Sequence, residues 1–334
     1  MNVLIISLFK NSHHKGGIQA FLERLTSWFS KNSATTFTHL AISDFKTYGK
    51  GNFSISKAVF HPLNKYDLVF IAGHNVPAID FIYLRSNMLK IPVIHMPFYH
   101  GIETRKRFGF SKLYFKIVFK YVYSFARKFF FVSFSEVQKF YLGSSENDYD
   151  FELMDHALAS HFVFNPKPDT EKKLDVTVGY VGRPVFSKGY DLYTEIASKN
   201  ISNFVFKAIG PGLRDQCVSD QDILEFYEEC DVIIVPSREE SFGLAVIEAL
   251  ALGCVVITSE FVPSTYNLQH IDSLEIIKGD FVENTTSFLE NSLTRDQLDA
   301  NFDARQTLAQ KIRGQFSENV VYSRYERSIS EALE

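Results

Sequence analysis

Short apolar runs bounded by turn residues alternate with stretches of helical period along the whole chain. In the first half, VLIISLF (3–9), DLVFIAG (67–73), IPVIHM (91–96) and KFFFVSF (128–134) read as strands. Between them Ile18, Phe21, Leu22, Leu25 and Phe29 recur at helical spacing, and 78–89 and 111–127 are further helix-like stretches. The second half repeats the grammar with VTVGYVG (176–182), NFVFKAIG (203–210), CDVIIVPS (230–237) and CVVITS (254–259). Runs apolar on both faces fit parallel strands covered by helices. The alternation therefore predicts an α/β chain of two doubly wound parallel-sheet domains, with ligand at the carboxyl ends of the strands in the cleft between them. The tail from about 286 to 334 reads as helical, and no repeat of solenoid length is present.

Composition sharpens this outline. The chain has 334 residues, 46 % hydrophobic and 22 % charged, which excludes disorder and suits two domains. Its net charge of −4 hides an asymmetry: residues 1–164 carry 19 Lys/Arg and 11 Asp/Glu, whereas 165–334 carry 16 and 28. Of the 33 phenylalanines, 23 lie in the first half. Two halves so different predict domains at 1–164 and 170–315, joined by the polar NPKPDTEKKLD (165–175). Cys217, Cys230 and Cys254 are odd in number and lack ligand spacing, which argues against a disulfide framework, against a zinc site and for a reducing compartment. No uncharged apolar stretch reaches the ~18 residues of a membrane-spanning helix. The opening MNVLIISLF has no basic flank and reads as a buried strand.

Three features fall at predicted strand ends. In GRPVFSKG (182–189) a glycine turn is followed by Arg183 and Lys188 before a helix, where cations and backbone N–H groups converge as a diphosphate requires. The bland alternative is a solvated turn with two surface cations. In REESFGLAVIEALALG (238–253), Glu240 precedes a helix that Gly243 opens and Gly253 closes. Glu248 lies eight residues after Glu240, about two turns along, between Ile247 and Ala249, where a charge is expensive unless paired. A carboxylate at each place suits sugar or ribose hydroxyls, the first-turn N–H groups suit phosphate, and the alternative is dipole complementation and solvent. Gly16 and Gly17 in KGG (15–17) let backbone approach a ligand at the next helix start, although the turn lacks the GxGxxG pattern of dinucleotide sites.

Taken in order, GRPVFSKG, ESFGLAVIE with its glutamates eight apart, an alanine-leucine helix and the next apolar strand resemble glycosyltransferase family 4. That family comprises retaining enzymes of the GT-B fold, two Rossmann-like domains facing a central cleft. The resemblance implies that Arg183 and Lys188 neutralise the diphosphate of a UDP- or GDP-linked sugar as the sugar departs. It implies that Glu248 holds the ribose and that Glu240 contacts the transferred hexose. Phe242, Gly243 and Leu244 would line the pocket through their backbone, and Gly16 and Gly17 would lie near donor phosphate or acceptor. His95, after the strand IPVIH, matches the family's strand-end histidine at the reaction centre. His74, His100, His13 and His14 are weaker candidates. No metal and no cofactor are implied. A C-terminal helix, about 316–334, is expected to pack back on the first domain. The chain departs from the family in DHALASHF (155–162), in SEFVPSTYN (259–267), where only Pro263 matches, and in a short stretch after Gly212.

Residues 103–130 hold eight Lys/Arg and one acid among many aromatics, with Lys112, Lys116 and Lys120 every four residues. Such interleaving through 105–128 suits an anionic membrane surface or a lipid-linked acceptor, or simply a solvated basic helix face. No nucleic-acid module is recognised. The expected protein is thus a cytoplasmic enzyme of cell-surface polysaccharide or lipopolysaccharide synthesis, peripheral on the inner face of the membrane, that moves a hexose to a glycan or lipid-linked acceptor. The alternatives are a non-catalytic GT-B partner protein or a sugar-nucleotide epimerase of the same fold.

Overall fold

A computed structural model describes residues 1–7, 17–42, 47–48, 55–73, 77–98, 121–133, 150–162, 175–213, 218–268 and 271–334. The chain divides into two compact units, Met1–Ala157 with Asn319–Glu334, and Leu158–Glu318.

The first unit contains β1 (Asn2–Ser7), α1 (Gly17–Asn32), β2 (Thr36–Ala41), β3 (Thr47–Tyr48), β4 (Ile55–Ser56), β5 (Leu68–Ala72), α2 (Pro77–Met88), β6 (Val93–Met96), β7 (Lys128–Phe131) and β8 (Phe151–Leu153). Six of these strands form one sheet in the order β2-β1-β5-β6-β7-β8, and every pairing is parallel. Val3, Leu4, Ile5 and Ile6 are all fully buried, as a strand covered on both faces requires. On one face Leu4, Ile6, Val69 and Ile71 pack with Ile79, Ile82 and Tyr83 of α2. Elsewhere α1 buries Phe21, Leu22, Leu25 and Phe29, the positions its helical period selects.

The second unit contains β9 (Val176–Val181), α3 (Tyr190–Ser198), β10 (Phe204–Ile209), α4 (Asp220–Glu229), β11 (Val232–Val235), α5 (Leu244–Ala251), β12 (Val255–Ser259), β13 (Leu274–Ile277), α6 (Phe281–Ser292), α7 (Arg295–Ala300) and α8 (Phe302–Gln315). Its sheet has the order β10-β9-β11-β12-β13, again all parallel. The connections run outward from β9 to β10, then return to β11 on the other side. The carboxyl ends of β9 and β11 thus flank a topological switch point, where open α/β sheets bind ligands.

The last helix, α9 (Glu318–Glu331), belongs to the first unit from Asn319 onward. Its Tyr322 and Tyr325 rings lie 5.9 Å from Trp28 and 5.5 Å from Phe21 of α1. Trp28 Nε1 donates to Asn319 Oδ1 at 2.8 Å. The boundary at 157/158 falls before the polar segment 165–175, which through residue 174 lies outside the described residues.

Candidate functional site

The site is assembled in the second unit from three loops. The first leaves β9. Gly182 turns there at φ +155°, its N–H bonded to Ile209 O at 3.0 Å, and Tyr180 Oη donates to Arg183 O at 2.8 Å. A 3-10 turn over Phe186–Lys188 then leads to Gly189, the cap of α3. Only glycine fits there: φ is +67°, and a Cβ would stand 2.0 Å from Pro236 O. That close approach seats the loop on the end of β11. Arg238 and Glu239 reinforce it, their N–H groups reaching Ser187 O at 2.9 and 3.2 Å.

The second loop leaves β11 and carries the glutamates. Lys188 Nζ stands 2.5 Å from Glu240 Oε1, and Ser237 Oγ donates to the same oxygen at 3.4 Å. Both side chains are largely sequestered, at 23 % and 14 % exposure, so the charge-assisted contact is weakly screened. Arg183, five residues earlier, is exposed on the same loop. Arg238 turns away to a bidentate pair with Asp191, at 2.6 and 2.7 Å, and lies 4.0 Å over the exposed Phe186 ring. That pairing lowers the Asp191 pKa below the usual carboxylate range and raises that of Arg238.

The third loop follows β12. Ser264 N–H bonds Phe242 O at 2.8 Å and its hydroxyl donates to Gly243 O at 3.2 Å. Gly243 sits at φ +97°, and a Cβ would meet Val262 Cγ1 at 2.3 Å. The segment SEFVPSTYN is thus the clamp that seats the start of α5, with a 3-10 turn over Pro263–Leu268. Val246 N–H closes the first turn on Gly243 O at 3.1 Å, while the N–H groups of Leu244 and Ala245 precede any helical acceptor, at the helix end where an anion is favoured.

Glu248 lies one turn into α5, half-buried among the buried Val246, Ile247, Ala249 and Leu250. The partner that such a charge demands is Tyr227 of α4, whose Oη donates to Glu248 Oε2 at 3.0 Å. Tyr227 is fully buried, and burial, followed by the charge of Glu248, pushes its phenol far above the ordinary value, so it stays a proton donor.

The structure therefore brings Lys188 and Glu240 into contact, places Arg183 on the same loop and sets Glu248 on the helix that Gly243 and Leu244 begin. Phe242 is 4 % exposed with its ring 6.3 Å from Phe316 and its carbonyl bonded by Ser264 N–H, so its ring packs at the helix start. One other sequence expectation needs correction. His95 does not follow its strand. It lies inside β6 and is fully buried, because its register beside Ile71 and Phe129 turns the ring into the core against Tyr83 and Tyr123. Its Nε2 lies 2.8 Å from Gly73 O, to which it donates in that tautomer. Gly16, His13, His14, His74, His100 and Lys112, Lys116 and Lys120 lie outside the described residues, and of Gly17 only its place at the start of α1 is described. Tyr227, Ser237 and Ser264 carry no sequence signal that distinguishes them from ordinary core and loop residues. Among the described residues no three His, Cys, Asp or Glu side chains cluster as a metal site requires.

Residues 215–301, which span the glutamate loop and its helix, match the family Glycosyl transferases group 1. A curated relative, an uncharacterized 41.2 kDa protein in the cps region of Klebsiella pneumoniae, is 31 % identical over 102 residues. That match covers 26 % of this chain and 28 % of the relative's length. Among solved structures, Anabaena Alr3699/HepE in complex with UDP-glucose superposes with a TM-score of 0.74 at 14 % identity, covering 99 % of this chain and 100 % of that one. WaaG, a glycosyltransferase involved in lipopolysaccharide biosynthesis, gives 0.60 at 15 % identity over 98 % of each chain. The fold is GT-B, and residues 215–301 of its second unit are similar to the Glycosyl transferases group 1 family.

Proposed function

We propose that this chain is a retaining hexosyltransferase that takes a UDP- or GDP-linked sugar and needs no metal. The observation that carries the reading is the contact of Lys188 with Glu240 at the β9/β11 switch point, with the exposed Arg183 on the same loop and Glu248 one turn into α5. A nucleoside diphosphate leaving group develops negative charge as the glycosidic bond breaks. Lys188, Arg183 and the start of α5 would supply donors to that charge, the kind of electrostatic stabilisation that is usually the largest catalytic contribution. The second half carries 16 Lys/Arg against 28 Asp/Glu, yet distant carboxylates are screened beyond about 8 Å at physiological ionic strength. The local cations decide.

Glu240 then has two roles. Without donor it neutralises Lys188. With donor it accepts from sugar hydroxyls while Lys188 turns part of its charge to phosphate. Glu248 accepts from the ribose hydroxyls. Calorimetric titration of UDP and GDP tests this: one nucleotide binds the wild-type chain, and Glu248→Ala weakens it by about ten-fold or more, the loss of hydrogen bonds to a charged acceptor. Equal affinity in both proteins would remove Glu248 from the site.

The acceptor is a glycan or a lipid-linked glycan of surface polysaccharide synthesis, a reading supported by the cps-region relative. Peripheral contact with an anionic membrane on the cytoplasmic side fits an exposed apolar stripe on α2, Phe81, Leu84 and Met88, continued by Leu89 and rimmed by the exposed Lys90. Arg85 ties the neighbouring turn to it by donating to His61 O at 3.0 Å, and Phe60 of that turn is also exposed. Among the described residues no helix is long and apolar enough to cross a membrane. Vesicles of anionic phospholipid should sediment the wild-type chain and not Phe81→Glu/Met88→Glu. Equal sedimentation would remove the membrane claim.

A further inference from the structure

We propose that Tyr227 is a positioning residue of the nucleotide site, holding the Glu248 carboxylate in the one orientation that meets both ribose hydroxyls. The inference rests on the donor-site reading above and adds a residue to it. A glutamate carboxylate rotates almost freely about its last torsion, whose energy profile is broad and two-fold. On a helix face flanked by Val246, Ile247, Ala249 and Leu250 nothing apolar can fix it. The Tyr227 hydroxyl can, because it donates to Oε2 at 3.0 Å from a ring that is itself immobile.

Three observations establish that immobility. Tyr227 has no solvent exposure. The Phe162 ring closes on it edge-on, with centroids 6.0 Å apart. Its carbonyl is anchored twice, by the Cys230 N–H at 3.1 Å and by the Cys254 thiol at 3.5 Å. The helix that carries it starts at a defined place, since Ser219 and Asp222 form a reciprocal capping box at the head of α4. One phenol hydrogen occupies one of about four lone-pair sites of a carboxylate, so acceptor capacity for two ribose hydroxyls remains. Fixing the acceptor before the ligand arrives reduces the ordering cost of binding. Tyr227→Phe deletes a single oxygen, leaves the ring packing in place and removes this hydrogen bond from the carboxylate.

The test is calorimetric titration of wild type, Tyr227→Phe and Glu248→Ala with UDP and GDP and with their 2′,3′-dideoxy counterparts. For the nucleotide that binds, Tyr227→Phe is expected to weaken the ribose form about three- to ten-fold and to leave the dideoxy form unchanged, since the latter gives Glu248 nothing to hold. A merely structural tyrosine would weaken both forms alike, and that result overturns the proposal. So does Tyr227→Phe binding the ribose form as tightly as wild type while Glu248→Ala binds it weakly. If Glu248→Ala leaves affinity intact, or wild type binds neither nucleotide, the donor-site reading itself fails and takes this proposal with it.

Discussion

Alanine at Gly243 is expected to unseat the start of α5 and with it the proposed nucleotide site. The backbone there has φ +97°, and a Cβ would lie 2.3 Å from Val262 Cγ1 and 3.0 Å from Ser264 Oγ. A non-glycine residue in that conformation costs roughly 1–2 kcal/mol. Val262 is fully buried, so it has no room to retreat, and overpacking of this kind costs roughly 1–3 kcal/mol more. The middle of both ranges gives about 3–4 kcal/mol. For a unit of this size each kcal/mol moves the midpoint by roughly 2–4 °C, so Tm should fall by about 6–16 °C. Gly314, near the end of α8, is the internal control, because an added Cβ meets nothing within 4 Å. Alanine there should raise Tm slightly, by about 1–2 °C, through helix propensity alone. Differential scanning calorimetry reads both, and nucleotide titration of Gly243→Ala below its transition reads the site. A Tm for Gly243→Ala within a degree of wild type would refute the claim that SEFVPSTYN clamps the helix start.

Other predictions test different parts of the account. Lys188→Ala and Arg183→Ala should each lower kcat for sugar transfer by at least about ten-fold, and normal turnover in either would remove it from the leaving-group clamp. His156 is buried between Phe21 and Phe98, 4.8 and 5.9 Å away between ring centroids, and burial, aided by Arg24, lowers its pKa from 6.5 to about 3. Because the unfolded chain binds this proton first, stability is fully present above pH 6.5. It falls by up to about 1.4 kcal/mol for each pH unit as pH drops from 6.5 toward 3. Denaturant titrations from pH 7 to 5 should show this slope in wild type and a shallower one in His156→Phe; parallel profiles would contradict it.

How much of this was legible in the sequence depended on whether a feature was local. The central strands β1, β5, β9, β11 and β12 are covered on both faces, so they stand out as continuous apolar runs. Of the edge strands, β10 was legible as NFVFKAIG, but β2, β8 and β13 were not. In β2, Thr36 and Thr38 are exposed, and β8 and β13 are short and only half-buried, so none of them gives an unbroken run. The cations and glutamates were legible as residues, but the meeting of Lys188 with Glu240 was not. It depends on β9 lying beside β11, an order that one chain's pattern does not encode. The same holds for Tyr227 and Glu248, which are 21 residues apart. His95 failed for the opposite reason. Its local pattern of apolar run then histidine reads as a strand end, whereas the aromatic cage that buries it comes from Tyr83, Tyr123 and Phe129 on three separate segments.

The most direct measurement is transfer itself. The purified chain is incubated with UDP- and GDP-hexoses and a bacterial membrane fraction as acceptor, with nucleotide release followed by chromatography and the product's anomeric configuration by NMR. The account predicts that one donor releases its nucleoside diphosphate only when both chain and membrane fraction are present. It further predicts that the product keeps the donor's anomeric configuration and that Lys188→Ala abolishes release. A product of inverted configuration, or nucleotide release undiminished in Lys188→Ala, would contradict it.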